Sequence, residues 1–395
     1  MPTKLQLKLV GVAALLVAAG LFLTRPSYSL EKDLAELPKH TGTFEELSSF
    51  FKERALEKGA IYGFDLLRNA ELPQGTDFHL LGHVVGDVLY KQKGKKAISL
   101  CTDEFRNACS HSIVVGTLLS EGENALADMN EACKKAPGGK GAYAMCFHGL
   151  GHGVLAYANY DFEKGAKLCQ KLGENINEGV EVGECVGGMI MEIVSGGDHD
   201  KESWQKGRDI YLDPNAPLST CMKEVVPQEA RRMCVLYMTP YVMEASGANL
   251  EDISLEDMEK AFALCNKAEV PQHLKDVCAG GFGKEFVVLA QERDIRNIDK
   301  MNEKALLKVH EYCSAAGDLK SRTYCTLEAV NSLYWGGENH YSVAINFCNL
   351  APESIKDSCF SHLIGGVHFY SRDNNYIKGF CQELPEEYKR KCTNY

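Results

Sequence analysis

Apolar stretches of helical length alternate with short polar segments along most of this chain, and cysteines mark the joins. Ala261-Phe262-Ala263-Leu264-Cys265 and Ala344-Ile345-Asn346-Phe347-Cys348 each end an apolar stretch on a cysteine. A polar segment follows, such as residues 266–276. A second cysteine then opens the next apolar stretch, often with glycines, as in Cys185-Val186-Gly187-Gly188-Met189 and Cys278-Ala279-Gly280-Gly281-Phe282. The 16 cysteines fall into eight successive pairs: 101/109, 133/146, 169/185, 221/234, 265/278, 313/325, 348/359 and 381/392. Within a pair the separation runs from 8 to 16 residues, and successive second cysteines lie 33 to 49 apart. A near-regular period of this length marks stacked helical hairpins. The predicted fold is all-α: an α-solenoid whose unit reads helix, Cys, turn, Cys, helix, each hairpin stapled by a disulfide.

Neighbour pairing of the cysteines is the economical choice, because the pairs recur as units; pairing between adjacent repeats is the alternative. Closing a loop of about 15 residues is worth ~3 kcal/mol on the chain-entropy argument, so each hairpin would be held locally. Cys101 and Cys109 form a C-x7-C unit, and the other pairs are more widely spaced. Over residues 95–395 the arrangement resembles the Sel1-like and tetratricopeptide class of helical repeats, especially its disulfide-stapled secreted members. That resemblance implies a protein-interaction scaffold.

Ahead of the array, Thr43-Phe44-Glu45-Glu46 reads as a capping box opening a helix that runs toward Gly59, with Phe44, Leu47 and Phe51 on its apolar face. Pro73 to Thr76 breaks the pattern, and Asp77 caps the next helix. Residues 198–218, with Pro214 and Pro217, read as the longest irregular insertion. Three segments result: residues 1–30, a signal peptide or N-terminal membrane anchor; 31–94, an N-terminal helical cap; and 95–395, the cysteine-paired array.

The first segment carries Lys4 and Lys8 before an uncharged apolar run at residues 9–23, with Arg25 after it. The run is long for a signal core and short for a span of ~20 residues. Ser27-Tyr28-Ser29 offers small residues for cleavage. Either way the remainder is expected outside the cytoplasm, periplasmic, cell-surface or secreted. An even number of cysteines suits an oxidising compartment. No C-x-x-C is present, which removes zinc ribbons, thioredoxin-type sites and C-x-x-C-H haem attachment. The net charge is −11, with a single basic cluster at residues 91–96, which argues against nucleic acid and anionic membrane surfaces as partners. Membrane contact would run through the N-terminal segment alone.

One pattern points at chemistry. Phe78-His79-Leu80-Leu81-Gly82-His83-Val84-Val85 returns as Phe147-His148-Gly149-Leu150-Gly151-His152-Gly153-Val154, identical at six of eight positions. Residues four apart share a helical face, so each copy presents two imidazoles together, a common metal chelate. Asp87 continues the face of His79 and His83 by one more turn. His111 follows Cys109 at the offset at which His148 follows Cys146. If the hairpins stack in register, His79, His83, His111, His148 and His152 converge. Later units carry C-x-G-G-x-x-x-E, placing Glu192 and Glu285 near the slot of His152. Glu192 lies in an apolar run and needs a partner there, which makes it the candidate carboxylate ligand or general base; Glu244 is a weaker one. The glycines around His148 and His152 imply close helix packing or close approach of a ligand.

Imidazole and carboxylate, with the cysteines consumed as disulfides, suit zinc, copper, iron or nickel rather than magnesium or calcium. The leading function is therefore an extracytoplasmic transition-metal-binding repeat protein, with metalloenzyme activity through metal-activated water or redox chemistry open. The alternative is a repeat scaffold for a peptide or protein partner, in which the histidines pack and hydrogen-bond. His362 and His368 favour that alternative, since they revive the pattern far from the first cluster. Asp198-His199-Asp200 reads as a solvated loop. No G-x-S-x-G, H-E-x-x-H, phosphate loop or dinucleotide fingerprint is found.

Overall fold

The computed structural model describes residues 30–134, 139–172, 179–196, 200–248, 253–371 and 373–395. Every regular element among them is helical. Three helices form the N-terminal cap: α1 (Leu30–Glu36), α2 (Phe44–Lys58) and α3 (Ala60–Asn69). Thr43 and Glu46 form the expected capping box at α2, and Gly59 ends it at φ 97°. Asp77 accepts the Leu80 N–H and starts α4 (Phe78–Lys93), the helix of the first histidine pair.

The hairpins then follow: α5 (Ala108–Glu121), α6 (Ala125–Lys134), α7 (Gly139–Tyr157), α8 (Phe162–Leu172), α9 (Val180–Ser195), α10 (Lys201–Tyr211), α11 (Arg231–Tyr237), α12 (Thr239–Ala245), α13 (Leu255–Lys267), α14 (Gln272–Ala290), α15 (Glu303–Ser314), α16 (Leu319–Tyr334), α17 (Tyr341–Leu350), α18 (Glu353–Tyr370), α19 (Asn374–Glu383) and α20 (Glu386–Thr393). All eight disulfides join sequence neighbours, with Cα separations of 5.4 to 5.7 Å. The second cysteine stands at varying depth in its helix: Cys109 is the second residue of α5, whereas Cys146 and Cys278 sit about two turns inside α7 and α14.

Helices α4, α5, α7, α9, α11, α14, α16 and α18 pack one on the next as an inner row, and the other helix of each hairpin covers them from outside. The inner helices are apolar nearly all round, as helices packed on several sides must be. Glycines set how close they come. A methyl on Gly151 would overlap the Cys185 carbonyl oxygen, and one on Gly188 would overlap that of His148, so α7 and α9 touch backbone to backbone. The C-x-G-G-x-x-x-E glycines are thus packing residues.

The row also curls back on itself. The Arg106 amide donates to Glu338 Oε1 at 3.0 Å, its guanidinium donates to Ser332 Oγ at 2.9 Å and lies 4.0 Å from the Trp335 ring. Arg296 Nη1 donates to the carbonyls of Leu67, Arg68 and Ala70 at 3.1, 3.3 and 2.7 Å. Gly141 meets the Gly336 backbone, where a side chain on either would clash.

One expectation is corrected. The segment at 198–218 is not irregular: α10 occupies Lys201–Tyr211, capped by Asp200. Its inward stripe is only Trp204, Gly207 and Tyr211 in a mostly polar sequence, with Gly207 against Tyr160. Residues 198 and 199 lie outside the described residues, as does the N-terminal apolar run. Among the described residues no helix is long and apolar enough to cross a membrane.

Candidate metal centre

The inner row brings His79 and His83 (α4), His111 (α5) and His148 and His152 (α7) into one chamber. The His111 ring lies 5.5 Å from those of His79 and His83, 5.7 Å from His148 and 5.9 Å from His152; the His83 and His152 rings are 6.0 Å apart. His79, His83 and His111 each offer a ring nitrogen within 4.8 Å of the others.

Proton bookkeeping assigns the tautomers. His79 Nδ1 lies 2.7 Å from the Phe105 carbonyl oxygen, which only accepts, so Nδ1 carries the hydrogen. The Ser112 hydroxyl donates to the His83 carbonyl at 2.9 Å, so its oxygen is left to accept from His83 Nδ1, 3.3 Å away. The two Nε2 atoms face each other at 3.1 Å. Two nitrogens bonded tetrahedrally to one zinc-like ion sit ~3.3 Å apart. His111 is 2 % exposed, and neither of its ring nitrogens has a hydrogen-bond partner. Gly149 makes room for its ring.

The second pair has different surroundings. His152 Nδ1 donates to Glu192 Oε2 at 2.9 Å, and Tyr160 donates to Glu192 Oε1 at 2.8 Å. Glu192 thus reaches the chamber through the ring of His152, in the manner of a positioning carboxylate behind a ligand. His152 Nε2 lies 3.4 Å from His148 Nε2. His148 Nδ1 is 3.7 Å from Glu184 Oε2, beyond hydrogen-bond reach. Burial holds the His79 imidazolium pKa down, to about 4, and places those of His111 and His148 well below the ordinary value. Burial pushes the Glu184 carboxyl up to about 8. These rings are neutral near pH 7, the form that ligates.

The loop that aims Phe105 is strained. Phe105, Arg106 and Asn107 all take positive φ, 56°, 54° and 63°, a conformation that costs non-glycine residues roughly 1 kcal/mol or more each. The Cys101–Cys109 disulfide and the Arg106 contacts with Glu338 and Trp335 hold it.

Two clefts border the chamber. One of about 440 Å³ is lined by His79, His83, Asp87, His152 and Glu192. Asp87 therefore shares the space of the first pair, one turn beyond His83. The other, about 210 Å³, meets His111 and His148 from the opposite side and is lined by Arg106, Tyr237 and Lys284.

Of the remaining candidates, Glu285 lines the smaller cleft and the others lie elsewhere. Glu244 is an exposed partner of Arg208, at 2.7 and 2.8 Å, and Glu285 pairs with Lys284. His362 bonds Asn331 at 2.8 Å and His368 the Cys392 carbonyl at 3.1 Å. His368 also lies near Cys381 and Cys392, but their sulfurs are joined in a disulfide and offer no thiolate. Sequence reasoning missed Ser112, the Phe105 carbonyl, Tyr160, Glu184 and Met191, all beside the histidines. Only Glu184 and Met191 carried a signal, as neighbours of Glu192 on the face of α9. No known protein family, curated protein or solved structure matches this chain.

Proposed function

We propose that the protein is an extracytoplasmic transition-metal-binding protein, with His79, His83 and His111 holding one ion and His148 and His152 completing the chamber. The single observation that carries this reading is the convergence of His79, His83 and His111, each of which offers a ring nitrogen within 4.8 Å of the others. His111, buried with two unpartnered nitrogens, supports it, since a buried polar group without a partner costs about 1–3 kcal/mol. Asp87 and Glu192 are assigned supporting roles, Asp87 at the mouth of the cleft and Glu192 behind His152.

Three imidazoles leave a zinc-, copper- or iron-like ion at least one open position. The larger cleft reaches that side of the chamber, so a small substrate or water has access, and metal-assisted chemistry fits the arrangement. Eight disulfides support an oxidising compartment. The resemblance to Sel1-like arrays is one of architecture alone, disulfide-stapled helical hairpins.

The test is elemental analysis of protein made in an oxidising compartment, wild type against His79→Ala and His83→Ala. Stoichiometric metal in the wild type, lost in both variants with the helical circular dichroism unchanged, is the expected outcome. A scaffold with structural histidines predicts no metal in any of them.

A further inference from the structure

Met191 packs against the core at the edge of the histidine chamber. It lies on α9 one residue before Glu192, is only partly buried, and borders both clefts. Its Sδ is 3.4 Å from His148 Nε2, which is itself 3.4 Å from His152 Nε2. His152 gives its Nδ1 hydrogen to Glu192, so its Nε2 presents a lone pair into the same space. His148 is 2 % exposed, and its Nδ1, on the Glu184 side, has no hydrogen-bond partner. With the hydrogen on that nitrogen, two imidazole lone pairs and a thioether sulfur converge. Around one ion in a plane, with metal–nitrogen bonds of ~2.0 Å and a metal–sulfur bond of ~2.3 Å, two nitrogens stand ~3.5 Å apart and nitrogen and sulfur ~3.7 Å, within a few tenths of an ångström of the separations seen.

The donor types narrow the ion. Every cysteine is in a disulfide, so methionine is the chain's remaining soft ligand. Neutral thioether with imidazole favours copper(I), whereas zinc takes its sulfur as anionic thiolate and otherwise binds imidazole or carboxylate. Two further methionines, Met145 and Met243, line the smaller cleft that meets His148 and Met191.

We propose that His148, His152 and Met191 form a second, soft site beside His79, His83 and His111, selective for copper(I), with Met145 and Met243 lining its approach. This rests on the reading of the imidazoles as metal ligands.

The experiment loads metal-stripped full-length protein with copper(I) from its bicinchoninate complex, and separately with zinc(II), using wild type, Met191→Leu and His79→Ala. Leucine keeps the volume of methionine, so the fold is preserved. Copper X-ray absorption is expected to show a sulfur scatterer in the wild type that is absent in Met191→Leu. Copper(I) affinity should fall by about tenfold or more in that variant, with zinc(II) binding unchanged. Copper without a sulfur scatterer, or equal copper(I) affinity in Met191→Leu, overturns the soft site and reduces the contact to an N–H···S hydrogen bond. In that case zinc(II) still bound by wild type and lost in His79→Ala leaves the proposed function standing. Binding of neither ion by wild type removes both.

Discussion

His79 shows how one hydrogen bond decides what a side chain can do. Its Nδ1 hydrogen is committed to the Phe105 carbonyl, so Nε2 is aimed, bare, at the equivalent atom of His83. Glu192 acts likewise on His152 from behind. Replacing Glu192 by Gln should lower metal affinity by about 10- to 100-fold, as loss of a positioning partner does, measured by chelator competition with the fold checked by circular dichroism. The buried rings also set a pH dependence. The His79 pKa falls from 6.5 to about 4 on folding, and those of His111 and His148 shift the same way. Below 6.5 the unfolded chain therefore takes up protons that the fold excludes. The stability these rings contribute is complete above that value and is lost as pH falls through the window toward about 4. Melting temperatures of metal-stripped protein should drop across this window, and less steeply in His111→Leu. A parallel drop in both would refute that assignment.

The helices bring these residues together through the spaces between their backbones. Gly151 and Gly188 let α7 and α9 meet, and Glu192 lies one helical turn from Gly188, within reach of His152. A methyl at either glycine has backbone to displace, so Gly151→Ala and Gly188→Ala should each cost ~1–3 kcal/mol and weaken metal binding. Gly366, on α18, has nothing within 4 Å of an added methyl. Gly366→Ala should be neutral or stabilise by up to ~1 kcal/mol. Urea midpoints of the three variants test the contrast. Gly188 was visible in the C-x-G-G-x-x-x-E repeat and Gly151 in the F-H-x-L-G-H-x-V repeat, but not whether backbone or ligand filled the room they leave. The inward stripe of helix α10, Trp204, Gly207 and Tyr211, is short and lies in a polar segment beside Pro214 and Pro217, so the segment read as irregular.

At the scale of the molecule, the array behaves as a row of local staples and one distant clasp. Each disulfide closes a loop of 8 to 16 residues, so spacing favoured its partner. Arg296, by contrast, grips three carbonyls 226 to 229 positions away. Arg296→Ala should cost about 1.5–3 kcal/mol, because hydrogen bonds to a charged group are lost. It should also loosen the curl, seen as a larger radius of gyration in small-angle X-ray scattering. An unchanged radius would mean that Arg106, Glu338 and Trp335 close the row by themselves.

The amino-acid sequence by itself determined the helical hairpins and the identity of the five clustered histidines, and it favoured neighbour pairing of the sixteen cysteines without fixing it. Each of these depends on residues near one another along the chain: helical periodicity, short loops and an i, i+4 spacing. Tertiary structure alone decided which nitrogen of each ring is bare, that Glu192 stands behind His152 rather than beside His83, that Met191 joins His148, and that the row closes. Those outcomes turn on ångström-scale approaches between helices from different repeats, set by glycine contacts and by polar groups hundreds of residues apart, and no local pattern encodes them.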